Sequence, residues 1–177
     1  ARALGAARSG NVAQARVDVE KLQSLHAAMI QAKTDSRSYY VEIQRQAAAA
    51  WLAFAEGKKE EALRLIRSAA DLEDSTGAIA TTATPLLPAH ELLGDLLLEL
   101  NEPAQALQEF ETALQTSPHR FNGLSGAARA AQLAGNPEKA RTYYTQLVSL
   151  CDHADSVRIE LTEARTFLAK NIDSLKH

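Results

Sequence analysis

Five histidines (His26, His90, His119, His153 and His177) and a single cysteine, Cys151, are the side chains best suited to ligate a metal or to act as base or nucleophile. They come together locally only at Cys151-Asp152-His153. A zinc site needs further Cys or His ligands at short characteristic spacings, and no such pair accompanies this cluster. The expectation is therefore no metal and no cofactor. A lone cysteine also leaves no intrachain disulfide. The carboxylates are numerous but scattered, and the chain has no Gly-rich phosphate loop, nucleophile elbow or His-Glu-x-x-His arrangement. No apparatus for catalysis is visible, and the chain is read as a non-enzyme. The pairs Tyr39-Tyr40 and Tyr143-Tyr144 are read as packing groups.

The elements that carry these residues follow from composition. The 177 residues are 46% hydrophobic and 23% charged, which suits a folded domain with a real core. Ala and Leu carry most of the hydrophobic share and aromatics only 5%, which favours close-packed helices over strands. A net charge of -3 gives no reason to expect nucleic acid, since phosphate neutralisation needs clustered Lys and Arg. The one charge run, Lys58-Lys59-Glu60-Glu61, is balanced and reads as a solvated helical turn. No uncharged apolar stretch of about 18 residues occurs, so membrane insertion is not expected. Ala1-Arg2-Ala3-Leu4-Gly5 lacks an initiator Met and reads as the middle of a helix, so a fragment of a longer chain is expected, with its compartment open.

A short pattern recurs along the chain: a Gly or Asn, three intervening residues, then a charged or amide residue followed directly by Ala. Its copies are Gly10 to Ala15, Gly57 to Ala62, Asn101 to Ala106 and Gly135 to Ala140. Gly and Asn tolerate the left-handed conformation that closes a helix, and Pro103 and Pro137 suit the first turn of the next. Apolar residues at helical spacing flank the copies: Leu92, Leu93, Leu96, Leu97 and Leu100 before the third, Ala106, Leu107, Phe110, Ala113 and Leu114 after it. Each copy therefore predicts a helical hairpin. Val12 to about Lys33 and Ser36 to about Glu56 read as long helices, the second capped by Asp35 or Ser36. Thr76 to Pro88, with Gly77, Pro85 and Pro88, reads as a loop. Val157, Leu161, Ala164, Leu168 and Ile172 form the stripe of a terminal helix capped by Asp155 or Ser156, with Arg158, Glu163, Arg165 and Lys170 on its outer face.

Asn101 and Gly135 are 34 residues apart, the period of the tetratricopeptide repeat. Residues 87–120 resemble that family: His90 stands at its first aromatic place, Leu93 and Gly94 match, Leu97 replaces the second aromatic, and Ala106, Phe110, Ala113 and Pro118 match. Residues 121–154 and, more weakly, 43–76 repeat the theme. The resemblance implies an all-α, right-handed α-solenoid of antiparallel helix pairs with a C-terminal capping helix. It implies one domain over 1–177, with a partial pair at 1–33, pairs at 36–76, 87–120 and 121–152, and a cap at 155–174. The whole is similar to the C-terminal part of longer bacterial tetratricopeptide proteins.

In that family the first helices of successive pairs line a concave binding surface. Carried over by position, the candidates here are Ala47, Trp51 and Phe54; Glu91, Asp95 and Leu98; and Ser125, Arg129 and Gln132. The resemblance thus implies a scaffold that takes a peptide or partner helix on this face, aromatic at one end, acidic in the middle and basic at the other. Trp51 and Phe54 serve as anchors only if neighbouring helices leave them exposed. The acids at Glu91 and Asp95 disfavour the anionic chaperone tails that some family members grip. An alternative is a purely structural cap of a longer solenoid, without a ligand. RNA binding ranks last, because only Arg129 supplies a base. Residues 1–8 are too short to cover the helix beginning near Val12, so its apolar face is expected to be exposed or covered by another copy of the chain through self-association of the incomplete N-terminal pair.

Overall fold

The repeating Gly or Asn of the sequence pattern proves to be the point where one helix stops and its partner starts. The computed structural model describes residues 1–32, 35–77, 87–152 and 158–173. Among them run nine helices and no strand: α1 (Arg2–Arg8), α2 (Val12–Gln31), α3 (Asp35–Ala55), α4 (Lys59–Gly77), α5 (Ala89–Glu99), α6 (Pro103–Thr116), α7 (Phe121–Leu133), α8 (Pro137–Leu150) and α9 (Ile159–Asp173). Gly10, Gly57, Asn101 and Gly135 all have positive φ, from 61° to 81°. The left-handed residue turns the chain so that its own N–H and the next reach back to the helix it ends. At Gly57 these bonds run from Gly57 N–H to Phe54 O (2.9 Å) and from Lys58 N–H to Ala53 O (2.9 Å). At Asn101 they run to Leu98 O (3.0 Å) and Leu97 O (2.8 Å). Asn11 and Asn136 then cap the following helices, each side-chain oxygen accepting from the backbone N–H three residues on.

The chain divides into two compact units, Ala1–Leu93 and Gly94–His177. In the first, α1 packs on both α2 and α3, α2 on α3, and α3 on α4. Small residues allow this approach: Ala15, Ala47, Ala50, Ala62 and Ala69 have no exposed surface at all. Between α2 and α3, Glu42 accepts from Arg45 and Gln46 and lies 3.1 Å from His26 Nδ1. Arg45 holds the Glu42 carboxyl below the usual range. Val17, Leu25 and Ile30 on α2 remain exposed, so the short α1 leaves apolar surface on its long partner, as residues 1–8 suggested.

The start of α5 is tied to α4. Glu73 Oε2 accepts from the backbone N–H of Ala89 at 2.8 Å, and His90 Nε2 lies 3.0 Å from Asp74 Oδ1. His90, expected to fill an aromatic place, thus makes a polar contact as well. Burial pushes the Glu73 carboxyl above the usual range, opposed by the Ala89 N–H. A raised carboxyl pKa means that the folded chain holds a proton the unfolded chain has already lost. Stability contributed by Glu73 is therefore full below the ordinary carboxylate range and is lost as pH rises through the raised value. Glu73→Gln keeps an oxygen acceptor without the charge. Thermal denaturation should show this variant gaining stability over the parent at pH 7 and not at pH 4.

In the second unit α6 packs on α7, α7 on α8, and α8 on α9. Its centre is Phe110 of α6, 1% exposed. Gly94 of α5 and Gly126 of α7 face opposite edges of its ring: a Cβ on Gly94 would stand 2.8 Å from Cε2, and one on Gly126 2.3 Å from Cε1. Neither position has room for a methyl group. Glu111 of α6 joins α8 by accepting from Lys139 Nζ (2.6 Å) and Tyr143 Oη (2.8 Å). Burial and that carboxylate push the Tyr143 phenol up to about 12. The Tyr39 and Tyr40 rings lie 4.2 Å apart, and the Tyr144 ring packs against Phe167.

No helix among the described residues is long and apolar enough to cross a membrane. The expected caps Asp35 or Ser36 and Asp155 or Ser156, most of the loop from Thr76 to Pro88, and His153 of the Cys151 cluster lie outside what the structure describes in side-chain detail.

Candidate interaction groove

Helix α7 buries one stripe (Leu124, Ala127, Ala128, Ala131) and turns another outward. Ser125 is half-buried, while Arg129, Gln132 and Leu133 are exposed. Across from them α9 buries Leu161 and Ala164 and leaves Ile159, Thr162, Glu163, Thr166 and Lys170 accessible, with Phe167 half-buried. Between the two, with Tyr144 of α8 at its base, lies an open cavity of about 570 Å³. Its apolar surface comes from Leu133, Ile159, Phe167 and the Tyr144 ring, and its charges from Arg129, Glu163 and Lys170.

The floor is fixed by packing and one hydrogen bond. The Tyr144 ring lies 4.9 Å from that of Phe167, and its hydroxyl donates to Gln132 Oε1 at 3.1 Å. That bond orients the Gln132 amide with its NH₂ available as a donor. Burial raises the Tyr144 phenol, the Glu163 carboxylate raises it further, and the Arg129 guanidinium opposes both. Two groove charges of opposite sign are therefore felt at the same hydroxyl. The Thr162 and Thr166 hydroxyls donate back to carbonyls of their own segment, Arg158 O (3.4 Å) and Thr162 O (2.8 Å). The rim above Leu133 and Ile159 stays open; these residues are 58% and 76% exposed. Such surface has no internal role and suits an apolar group brought by a partner.

Arg129 and Gln132 of the sequence-derived set line this cavity, and Ser125 lies one turn from Arg129 on the same helix. Asp95 and Leu98 are half-buried on α5. The N-terminal part of the set requires correction. Trp51 is 3% exposed and Ala47 fully buried, because α1 packs over α3 and lays the Arg8 guanidinium 4.5 Å from the centre of the Trp51 ring. Trp51 is a core residue, with half-buried Phe54 edge-on to it at 5.9 Å, and it cannot be the exposed anchor. Glu91 is also buried, at 5% exposure, which removes it from an accessible acidic surface.

The contribution of α9 was missed. Glu163 and Lys170, assigned by pattern to its outer face, line the cavity, as do Ile159 and Phe167. The available signal was two large apolar residues eight positions apart and off the packing stripe, which is where a helix carries apolar surface it does not use to pack.

These features define an all-α helical-repeat protein with a groove between successive outward-facing helices. The tetratricopeptide repeat family profile matches residues 97–150, from the end of α5 through α8. Among solved structures it is similar to PcrH from Pseudomonas aeruginosa, at 15% identity over 72% of this chain and 89% of that one, with a TM-score of 0.56. It is similar also to MamA of AMB-1, at 15% identity over 90% of this chain and 92% of that one, with a TM-score of 0.50. At such identities the likeness is one of fold. Comparison with curated proteins gave no match.

Proposed function

We propose that the chain is a non-catalytic protein-interaction scaffold that takes an apolar segment of a protein partner, a peptide or a helix, in the groove of α7, α8 and α9. The observation that carries this reading is the exposure of Leu133 and Ile159 at the mouth of a cavity based on Tyr144 and Phe167. A partner side chain seated there gains about 25 cal/mol per Å² of apolar surface removed from water.

Leu133→Asp puts a charge at that mouth while leaving the buried stripe of α7 intact. A substitution at an exposed position is expected to change stability by no more than about 0.5 kcal/mol. Peptides selected from a displayed library against the parent chain should bind the variant at least about ten-fold more weakly, a loss of roughly 1.4 kcal/mol. Equal affinity for both chains would count against the groove. The burial of Leu161 and Ala164 of α9, which packs on α8, supports a second reading, a purely structural cap, which predicts that no peptide is selected.

Exposed Val17, Leu25 and Ile30 support self-association through the N-terminal pair. Sedimentation should then show mass rising with concentration. A strict monomer throughout would contradict it.

A further inference from the structure

The charges of the groove indicate what must accompany the apolar anchor. One acidic and two basic side chains line it: Glu163 and Lys170 from α9, and Arg129 from α7. Among the described residues Arg129 and Lys170 make no hydrogen bond or ion pair, in contrast with Arg2, Arg16, Arg45, Lys58 and Lys139, each held by a carboxylate of this chain. Both groove cations are exposed, and each adjoins apolar surface: Arg129 lies one turn before Leu133, and Lys170 one turn beyond Phe167.

The neutral polar groups add to the same sign. Gln132 spends its carbonyl oxygen on Tyr144 and so offers the groove a donor. With Arg129, the α7 wall presents guanidinium and amide N–H groups and no acidic side chain of its own. Glu163 is the single anion among the lining residues. A guanidinium beside an amide donor suits a planar carboxylate, which can accept two parallel hydrogen bonds.

We propose that the groove binds an acidic amphipathic segment of a protein partner, its apolar side chain seated between Leu133 and Ile159 and a flanking Asp or Glu carboxylate held by Arg129 and Lys170. This rests on the groove being the interaction site and names the chemistry of its occupant. Basic segments meet two unpaired cations and are selected against, so the charges set specificity more than total affinity.

The test uses the full chain as bait and 16-residue helical peptides displayed on phage. The peptides carry a fixed pair of Leu residues one turn apart, and the flanking positions are randomised among Asp, Glu, Gln, Lys and Arg. Acidic residues should be enriched over basic ones, and synthetic copies of the selected peptides should weaken roughly three- to ten-fold when Glu or Asp is replaced by Gln, the range expected for one or two exposed ion pairs. The advantage should shrink at high salt. With Arg129→Glu and Lys170→Glu in the bait, basic residues should be enriched instead. Equal or preferential selection of basic peptides by the parent chain, or an unchanged preference in the charge-reversed bait, would overturn the acidic assignment while leaving the groove in place. Enrichment no greater for the parent than for a Leu133→Asp bait would overturn the groove itself, and the assignment with it.

Discussion

Phe110→Ala is expected to destabilise the C-terminal unit by about 3–5 kcal/mol, the usual cost of emptying a fully buried aromatic site. The ring is held between Gly94 and Gly126, which have no side chains to swing into the space, so the cavity cannot collapse by rotamer changes at its closest neighbours. A cavity that cannot relax puts the cost toward the upper end of that range. Urea denaturation followed by circular dichroism measures it. A loss below about 1 kcal/mol would mean that Phe110 is not the centre of the unit.

Gly126→Ala should be destabilising by about 1–3 kcal/mol, although Ala is the better helix former by roughly 1 kcal/mol. The added Cβ would stand 2.3 Å from Phe110 Cε1, closer than any real contact. The ring cannot withdraw, because the other edge already lies against Gly94 at a distance that would bring a Cβ to 2.8 Å. Overpacking therefore outweighs propensity. The two substitutions should also fail to add: with Phe110 already replaced by Ala the obstruction is gone, and Gly126→Ala should become neutral or stabilising. Strict additivity in this double-mutant cycle would show that the two residues do not meet.

What could be read in advance was local. A positive φ is a demand on one residue, and Gly10, Gly57, Asn101 and Gly135 announced it by type and by the Ala that follows at fixed distance. The close-packing positions were legible for the same reason: Ala62, Ala106 and Ala140 each sit just inside a second helix, and each has no exposed surface. Gly94 was legible from the repeat pattern, but Gly126 was not. Its smallness is required by a ring sixteen residues earlier in sequence, and no pattern within α7 indicates that ring.

The candidate surface was legible at one end only. Arg129 and Gln132 were found because the family resemblance carried its concave-surface positions onto α7. Trp51 was misplaced because its burial depends on a seven-residue helix, α1, whose only large apolar residue is Leu4, and whose reach over α3 no periodicity reports. On α9, pattern showed which side packs on α8. It could not show that the remaining side lines a cavity with α7, because that cavity is assembled across three helices.

The central claim is that a protein partner is received by the groove of α7, α8 and α9. The most direct measurement is a methyl-resolved chemical-shift titration of the Leu- and Ile-labelled chain with a peptide selected on it. Leu133 and Ile159 should shift with added peptide and saturate together, while Leu4, Ile43 and Ile66, buried in the N-terminal unit, stay in place. Saturable shifts at Leu4, Ile43 or Ile66 with Leu133 and Ile159 silent would contradict the account.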